Sequence, residues 1–332
     1  MGGFPLYPLK FRYILKEKVW GGRRLGTLLG KRLPEGSPIG ESWEVSDHGE
    51  DTTVVAEGAL AGRSLHELAE EFPEELMGNK GMGMAGGRFP LLLKFIDASD
   101  VLSVQVHPDD DYAAEHEAKR ELGKTEAWYV LDADEGAQLV RGVRAGTTRD
   151  EFAELLKEGR LEECLNTFEV KAGDVLYLPA GMLHALGAGV VVAEIQQNSD
   201  TTYRVYDWNR VGLDGKPREL HVEKALEVID FGVPLRNKEV PMLLDGYPYR
   251  REGLVRCEKF AMESIETGER ITEERDGEAF RILCFVEGGG RLEGDFESIE
   301  VKVGDSVLVP AGVRRFAFAP GEDSKFLLMQ VP

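Results

Sequence analysis

Cysteines and long apolar runs are both scarce in this sequence. Cys164, Cys257 and Cys284 are the three cysteines among 332 residues, and their spacing fits neither a disulfide framework nor a Cys-x-x-Cys metal site. We therefore predict three buried, inert thiols in a protein of a reducing compartment. No apolar stretch reaches the roughly 18 residues of a membrane-spanning helix, and residues 1–20 lack the apolar segment of a signal peptide. The sequence thus predicts a cytoplasmic protein that spans no membrane.

Positive charge is also in short supply. The chain carries 40 Lys and Arg against 60 Asp and Glu, which gives a formal net charge of −20. We predict neither nucleic acids nor anionic membranes as partners, because both repel an acidic protein. A protein of this charge that binds an anionic ligand has to collect its few useful cations in one pocket. The length exceeds what one hydrophobic core usually serves, so two domains are expected.

Short β-rich runs separated by Gly, Pro, Asp and Asn dominate the chain, which predicts a mainly β fold. The clearest runs are TVVAEGAL (53–60), EAWYVL (126–131), DVLYLPAG (174–181), AGVVVAEIQQ (188–197) and FRILCFVEG (280–288). Helical periodicity is confined to residues 64–76, where Ser64 and Glu67 form a capping-box pattern, and to residues 150–165. Residues 109–120 and 221–229 are shorter helix candidates.

The sequence contains an internal repeat. Residues 170–184 (VKAGDVLYLPAGMLH) and 301–315 (VKVGDSVLVPAGVRR) are identical at seven of fifteen positions, including the Gly-Asp and Pro-Ala-Gly turns. This spacing resembles the second conserved motif of the cupins, which are small jelly-roll barrels. We predict two tandem cupin-type jelly rolls, one at residues 1–231, with helical insertions near 64–78 and 147–166, and one at 232–332. The first copy ends in His184 and the second in Arg315, so only the first domain is predicted to hold a metal ion.

A candidate metal site lies in the first domain. In the strand SVQVHPDD, alternation places Ser103, Gln105 and His107 on one face. Glu126 follows in GKTEAWYV, and His184 follows the Pro-Ala-Gly turn. Two imidazoles, a carboxylate and an amide oxygen suit a zinc ion. The other histidines lack such neighbours and are predicted on helix surfaces (His66, His116) or in loops and caps (His48, His221).

Three cations accompany these residues. Lys94 interrupts the apolar run PLLLKFIDA, Lys124 stands two residues before Glu126, and Arg204 follows the strand after His184. A buried ammonium is costly without an anion. If the three converge, they form a site for a phosphate monoester. Ordinary salt bridges to the abundant carboxylates would also account for them.

These strings together resemble a known family. QVHPDD, KTEAWY, PAGMLHALG and EIQQNSDTTYRVYDW, with KVWGG, GESWEVS and PLLLKFIDA, are similar to segments of the type I mannose-6-phosphate isomerases and run in the same order over about residues 20–210. The resemblance implies a catalytic zinc held by Gln105, His107, Glu126 and His184. It also implies an active site lined by Lys94, Lys124, Asp200 and Arg204, with Glu194 and Ser103 at other pocket positions. Some members carry a histidine immediately before the motif lysine, where this chain has Gly123.

The implied reaction is the zinc-dependent interconversion of mannose 6-phosphate and fructose 6-phosphate through a cis-enediol, by a monomer or homodimer. Lys124, whose pKa a neighbouring metal ion would lower, Glu194 and Asp200 are the candidate proton-transfer groups, and the choice among them stays open. Arg204, which remains charged, is predicted to stabilise negative charge. The predicted substrate-binding residues are Lys94, Ser103, Lys124 and Arg204.

Two other functions fit part of this pattern. Two histidines and a carboxylate also describe the metal triad of Fe(II) oxygenases, some of which are cupins. A cupin that binds a sugar phosphate without catalysis would need the same cations. The amide ligand and the cation set favour the isomerase over the oxygenase. The acidic charge and the lack of a DNA-binding motif weaken a regulatory role for the non-catalytic cupin.

Overall fold

The computed structural model describes residues 5–84, 86–118, 121–233 and 236–332. Strands account for 41% of the residues and helices for 15%, which confirms the predicted mainly β fold. The strand pairings among the described residues are antiparallel. None of the described helices combines the length and the apolar character that crossing a membrane requires.

The strands lie in two groups along the chain. The first group is β1 (Leu9–Arg12), β2 (Ile14–Gly22), β3 (Ile39–Val45), β4 (Asp47–His48), β5 (Asp51–Thr52), β6 (Val54–Val55), β7 (Leu91–Ala98), β8 (Val104–Val106), β9 (Glu126–Ala133), β10 (Gln138–Val143), β11 (Leu165–Glu169), β12 (Val175–Leu178), β13 (His184–Leu186), β14 (Val190–Gln197) and β15 (Tyr203–Tyr206). The second is β16 (Met242–Leu243), β17 (Arg250–Arg256), β18 (Ala261–Thr267), β19 (Ile271–Glu274), β20 (Arg281–Glu287), β21 (Gly289–Gly294), β22 (Phe296–Lys302), β23 (Ser306–Val309), β24 (Arg315–Pro320) and β25 (Ser324–Gln330). The helices are α1 (Arg24–Leu29), α2 (Leu65–Glu71), α3 (Pro73–Met82), α4 (Asp110–His116), α5 (Arg149–Lys157) and α6 (Val222–Val228), with a 3₁₀ helix at Leu161–Cys164.

Two sheets from the first group face each other. One has six strands in the order β12-β9-β14-β7-β2-β3, and the other has five in the order β11-β10-β13-β8-β15. The core between them includes Trp128, Leu186 and Val192. The opposite face of the five-stranded sheet packs against α5 and α6 through Phe152 and Ala225. Each buried face follows from the alternation of apolar side chains along its strand.

A second pair of sheets is built mainly from the later strands. An eight-stranded sheet has the order β16-β17-β18-β25-β20-β23-β1-β6 and faces the four-stranded sheet β19-β24-β21-β22 across a core that includes Phe285 and Phe318. The other face of the eight-stranded sheet packs on the six-stranded sheet. Because β1 joins this sheet by pairing Leu9 with Leu308, a division of the chain at residue 231 would cross that pairing. The division therefore stays a prediction.

The two copies of the repeat occupy equivalent places. β12 of the first copy pairs with β9, and β23 of the second copy pairs with β20. The strands after the Pro-Ala-Gly turns, β13 and β24, then cross to the opposite sheet in each pair. In both copies, the same local sequence thus leads the chain from one sheet of the pair to the facing sheet.

Several predicted elements end earlier than expected. The run at residues 53–60 forms only the short strand β6, because Gly58 turns the chain with a φ of +81°.

The predicted helix at 64–76 is confirmed at its capping box but breaks into α2 and α3. The break lies at Phe72 (φ −133°, ψ 51°), since the residue before Pro73 is excluded from the helical region.

The remaining predicted helices are present with shorter bounds. α5 and the 3₁₀ helix form within the region predicted at 150–165, with residues 158–160 between them, and α4 and α6 lie inside the shorter candidates. Residues 119–120 of one candidate lie outside the described residues. The three cysteines are free as predicted. Cys164 and Cys284 are buried, but the prediction was wrong for Cys257, which is partly exposed.

Candidate metal centre

Three predicted ligands meet between the five-stranded and six-stranded sheets. Glu126 begins β9, His184 begins β13 and His107 directly follows β8. Val104 and Val106 turn to the apolar core beside α5 and α6, which leaves His107 on the opposite side of the strand. One ligand atom from each of His107, Glu126 and His184 lies within 4.8 Å of the others, and all three side chains are buried. The structure thus brings these predicted ligands to one point.

Both histidines turn Nε2 toward Glu126. Nδ1 of His107 lies 2.8 Å from the carbonyl oxygen of Thr201, and Nδ1 of His184 lies 2.8 Å from that of Met182. A carbonyl oxygen only accepts hydrogen bonds, so Nδ1 carries the proton and Nε2 keeps its lone pair in the neutral ring. Burial holds the pKa of His107 well below its ordinary value, which favours the neutral form. Carbonyl contacts of this kind orient histidine ligands in metal sites.

Hydrogen-bond acceptors therefore face one another at this point. Nε2 of His184 lies 3.1 Å from Oε1 of Glu126, and Nε2 of His107 lies 3.5 Å from Oε2. Both carboxylate oxygens are buried, and neither receives a hydrogen bond of good geometry from the described residues, although Nζ of Lys124 lies 2.8 Å from Oε2. Nζ of Lys124 also lies 3.3 Å from Nε2 of His107, so this ammonium compensates part of the converging negative charge, and the three side chains can still hold a metal ion. A His₂Glu set suits zinc and also Fe(II).

The predicted fourth ligand, Gln105, lies beside these three. Gln105 is in register with His184 on the neighbouring strand, and its amide nitrogen lies 3.4 Å from Nε2 of that histidine. Its amide oxygen accepts a hydrogen bond of 3.2 Å from the hydroxyl of Ser103. The side chain is therefore within reach of the same point.

Arg315, which aligns with His184 in the second copy of the repeat, lies at the surface. Its side chain is 74% exposed and its nearest carboxylate, that of Glu274, is 3.6 Å away. That position faces solvent, whereas the His184 side chain is buried between two sheets. This difference supports the prediction that the second copy of the repeat holds no metal ion.

A cavity of about 240 Å³ adjoins the metal-ligand group. The predicted site residues that line it are Lys94, Ser103, Gln105, Lys124, Glu194, Asp200 and Arg204. Strands β7, β8, β14 and β15 supply Lys94, Gln105, Glu194 and Arg204. Ser103 directly precedes β8, Lys124 lies two residues before β9, and Asp200 lies between β14 and β15. A larger groove of about 650 Å³ around Arg24 and Asp97 holds none of the predicted residues. The smaller cavity is the one lined by Gln105 and Lys124, which contact His184 and Glu126.

Positively and negatively charged side chains alternate along the inner part of the cavity. Nζ of Lys94 lies 3.4 Å from Asp200 and 3.7 Å from Glu194. Burial favours a higher pKa for Asp200, but Lys94 and Lys124 outweigh it and lower the pKa to about 2. Burial and the charge of Glu126 raise the pKa of Glu194. The two carboxyl groups thus differ in their readiness to take up a proton.

Lys124 is surrounded by carboxylates that oppose the predicted lowering of its pKa. Burial lowers the pKa, but Glu126 and Glu194 outweigh burial and raise it above its ordinary value. The predicted lowering would require the charge of a metal ion at the adjoining ligand group.

Several cavity residues escaped the sequence-based prediction. Lys18 and Trp20 come from β2, Glu41 from β3, and Arg218 and His221 from the segment before α6. Lys18 and Trp20 share one face of a strand, so the alternation of side chains along the strand could have identified them from the sequence. His221, predicted as a loop or cap residue, is the N-cap residue of α6, although its side chain makes no capping hydrogen bond. Arg218 and His221 follow no strand alternation, so only tertiary structure reveals them.

Gly123, where some relatives carry histidine, has no room for a side chain. A Cβ at this position would lie 2.4 Å from the carbonyl carbon of Asp109 and 2.5 Å from the nitrogen of Asp110. Main-chain atoms cannot move aside as a flexible side chain does. The main chain at the start of α4 therefore excludes a histidine side chain at position 123.

We expect the substitution Gly123→Ala to destabilise the protein. Forcing a methyl group against main chain should lower the free energy of unfolding by about 1–3 kcal/mol, as measured by urea unfolding. Gly83→Ala is the matched control, because a Cβ there meets nothing nearer than 3.6 Å. Equal unfolding midpoints for the two variants would contradict the expectation.

The fold and the site together define a class: a β-sheet enzyme with a buried His–Glu–His group for a metal ion beside a cation-lined cavity. Comparison with known proteins gives the family. The catalytic-domain model of phosphomannose isomerase type I matches residues 8–136. The mannose-6-phosphate isomerase of Streptococcus mutans serotype c is 36% identical over 311 residues, which cover 94% of this chain and 95% of that protein.

Two Bacillus subtilis comparisons agree with these. Mannose-6-phosphate isomerase ManA is 37% identical over 317 residues, 93% of this chain and 95% of that protein. The crystal structure of the mannose 6-phosphate isomerase from the same organism superposes with a TM-score of 0.88 at 34% identity, covering 97% of this chain and 99% of that one. The chain belongs to the type I phosphomannose isomerases, a family of aldose–ketose isomerases.

Proposed function

We propose that this chain interconverts mannose 6-phosphate and fructose 6-phosphate with a zinc ion held by Gln105, His107, Glu126 and His184. The observation that carries the proposal is the buried group of His107, Glu126 and His184, whose ligand atoms lie within 4.8 Å of one another and whose Nδ1 atoms are both held by carbonyl oxygens. The names of the relatives supply the substrate. A zinc ion bound there would polarise the sugar carbonyl without changing its own redox state.

Gln105 fits the ligand role after a half-turn of its amide. The oxygen then takes the position 3.4 Å from Nε2 of His184, and the amide nitrogen donates to the hydroxyl of Ser103 at 3.2 Å. That hydroxyl oxygen has lone pairs for this bond and for the one from Nε of Arg204. Both orientations occupy the same volume, so the half-turn requires only that the hydroxyl proton of Ser103 turn away from the amide.

Glu194 is the favoured proton-transfer group among the three candidates. Its Oε2 is buried without a hydrogen-bond partner among the described residues, so this oxygen is available to a substrate proton. Oε1 is held by Nε1 of Trp128 at 2.8 Å, so the group is fixed in position. Asp200, whose pKa Lys94 and Lys124 lower, is a poorer base, and Lys124 stays a candidate because a bound zinc ion would lower its pKa.

The two sheet pairs support the proposal of tandem jelly rolls. The first pair surrounds the metal-ligand group, and the second contributes strand β23 as the equivalent of β12. We assign the metal to the first and a packing role to the second, with the boundary near residue 231. A cytoplasmic location and a monomeric or homodimeric state remain predictions.

A coupled assay for fructose 6-phosphate formed from mannose 6-phosphate tests the function. We expect activity that a chelator removes and zinc restores, together with zinc in the purified protein. The Fe(II) oxygenase alternative requires bound iron and oxygen consumption with a sugar substrate. The non-catalytic alternative requires sugar-phosphate binding without conversion.

A further inference from the structure

The main chain around Lys124 is held on both sides by hydrogen bonds from its neighbours in the sequence. The N–H of Gly123, the residue before Lys124, donates to Oδ1 of Asp110 at 2.8 Å. The N–H of Thr125, the residue after Lys124, donates to Oε1 of Gln197 at 3.0 Å. Two side chains from distant parts of the sequence thus fix the segment that carries this lysine.

The Asp110 carboxylate connects these two hydrogen bonds. Nε2 of Gln197 donates to Oδ1 of Asp110 at 2.9 Å, so the oxygen that accepts from Gly123 also holds the amide that accepts from Thr125. Burial favours a higher pKa for Asp110, but hydrogen bonds from Lys259, Gln197 and Gly123 outweigh burial and lower the pKa. The carboxylate is therefore ionised, and its hydrogen bonds are charge-assisted.

The counter-ion of Asp110 comes from the second group of strands. Lys259 lies between β17 and β18, and its Nζ donates to Oδ2 of Asp110 at 2.6 Å across 149 positions of the sequence. The side chains of this pair are 30% and 37% exposed. Lys259 thus binds the carboxylate oxygen that Gly123 and Gln197 leave unused. We call Asp110, Gln197 and Lys259 the Asp110 network.

The position of residues 123–125 determines where the Lys124 ammonium lies. Its Nζ is 2.8 Å from Oε2 of Glu126 and 3.3 Å from Nε2 of His107. The main-chain N–H of Lys124 donates to the carbonyl oxygen of Pro108 at 2.9 Å, and the side chain is buried. A small displacement of this main chain would change the contacts of the ammonium with the metal-ligand group, and reaction rates are sensitive to such displacements.

We propose that Asp110 is a positioning residue for Lys124, and that Lys259 holds Asp110 in place from the second group of strands. The inference rests on the proposed function, because it requires Lys124 to act on the substrate. None of the three described residues of the Asp110 network lines the cavity, so their effect reaches the substrate through Lys124. The second group of strands then contributes to the active site as well as to packing.

The test compares Asp110→Ala and Lys259→Met as zinc-loaded, full-length enzymes with mannose 6-phosphate as the substrate. Asp110→Ala should lower kcat about ten- to a hundredfold, because misplacing an active-site group by about 1 Å can reduce the rate about a hundredfold. Zinc content should stay at the wild-type level, and KM should change less than kcat. Lys259→Met should lower kcat only about two- to fivefold, since partly exposed ion pairs are weak. Lys259→Arg should restore kcat, because arginine keeps the charge and the donor.

A double variant shows whether Lys259 acts through Asp110. If it does, Asp110→Ala combined with Lys259→Met should have the same kcat as Asp110→Ala alone. Hydrogen exchange gives a readout that does not depend on activity. The N–H groups of Gly123 and Thr125 should exchange faster in Asp110→Ala than in the wild type, because they lose their fixed acceptors.

Two variants serve as matched controls. Asp111→Ala removes an exposed carboxylate from the same turn of α4. Lys10→Met breaks an ion pair with Asp305 that has a similar length, 2.7 Å, and similar exposure, 21% and 22%. Both controls should keep the wild-type kcat and the wild-type exchange at Gly123 and Thr125.

Wild-type kcat in Asp110→Ala, or an equal fall in Asp111→Ala, would overturn the inference. If Asp110→Ala does not fold, Asp110→Asn replaces it, because the amide keeps the shape and loses the charge; unchanged kcat in both Asp110→Asn and Lys259→Met would then overturn the inference. The exchange measurement separates the two proposals. A wild type without isomerase activity refutes the proposed function, whereas unchanged exchange at Gly123 and Thr125 in the Asp110 variant refutes the positioning role in an active enzyme as well.

Discussion

The substitution His184→Ala should abolish isomerase activity and remove most of the bound zinc. His184 supplies one of two imidazole nitrogens at the ligand group, and its Nδ1 is held by the carbonyl of Met182. Without this ligand, Lewis-acid stabilisation of several kcal/mol is lost, so activity should fall by about three orders of magnitude or more. Elemental analysis of the purified variant and the fructose 6-phosphate assay measure the two effects.

The control for this variant is His116→Ala. His116 stacks on Tyr112 at the end of α4, with ring centroids 3.9 Å apart, and it belongs to no ligand group among the described residues. Zinc content and turnover should stay near wild type. The fold of His184→Ala should survive, because the surrounding strands β10, β13 and β8 keep their pairing. Full zinc content in His184→Ala would refute the assigned ligand set.

The substitution Arg204→Ala should reduce kcat/KM for mannose 6-phosphate by about ten- to a hundredfold, since a charge-assisted contact contributes about 1.5–3 kcal/mol. Arg204 has no carboxylate partner among the described residues, so its charge is available to the substrate. Zinc content should be unchanged, which distinguishes this effect from that of His184→Ala. Arg204→Lys should recover only part of the loss, because lysine lacks the planar fork of donors.

Arg160→Ala provides the comparison for Arg204→Ala. Arg160 is 54% exposed and pairs with Glu158 and Glu163, and it does not line the cavity. Its loss should change neither kcat/KM nor zinc content, because exposed ion pairs contribute little. Wild-type kinetics in Arg204→Ala, or equal activity of the wild type on mannose and its 6-phosphate, would mean that the substrate site is elsewhere.

Strand alternation explains why most of the site could be predicted from the sequence. In β8 and the residues around it, every second side chain faces the cavity, so the period of two along the chain assigns Ser103, Gln105 and His107 to one face. The same rule places Lys124 and Glu126 together. Each of these residues lies on or beside a buried strand, where the sequence pattern and the three-dimensional position are tightly linked.

The residues that the sequence did not reveal depend on contacts between distant segments. Arg218 reaches the cavity because Asp207 binds it and because the turn around Gly215 reverses the chain. His221 is placed by two hydrogen bonds to the main chain of Arg204. No local periodicity encodes these contacts. Likewise, β1 belongs to the eight-stranded sheet because it pairs with β23, which lies near the other end of the sequence.

That pairing of β1 has a consequence for synthesis on the ribosome. Leu9, which is fully buried, pairs with Leu308, and Lys10 pairs with Val307. Strand β1, which is synthesised first, therefore cannot form this pairing until β23 has been synthesised. Contacts so distant in sequence form slowly, because the loop between them has to close first. Until residue 309 has emerged, β1 presents an unpaired apolar edge that other chains can join. A nascent chain released before that point should aggregate or be degraded, even though it already contains every residue assigned to the metal centre and the cavity.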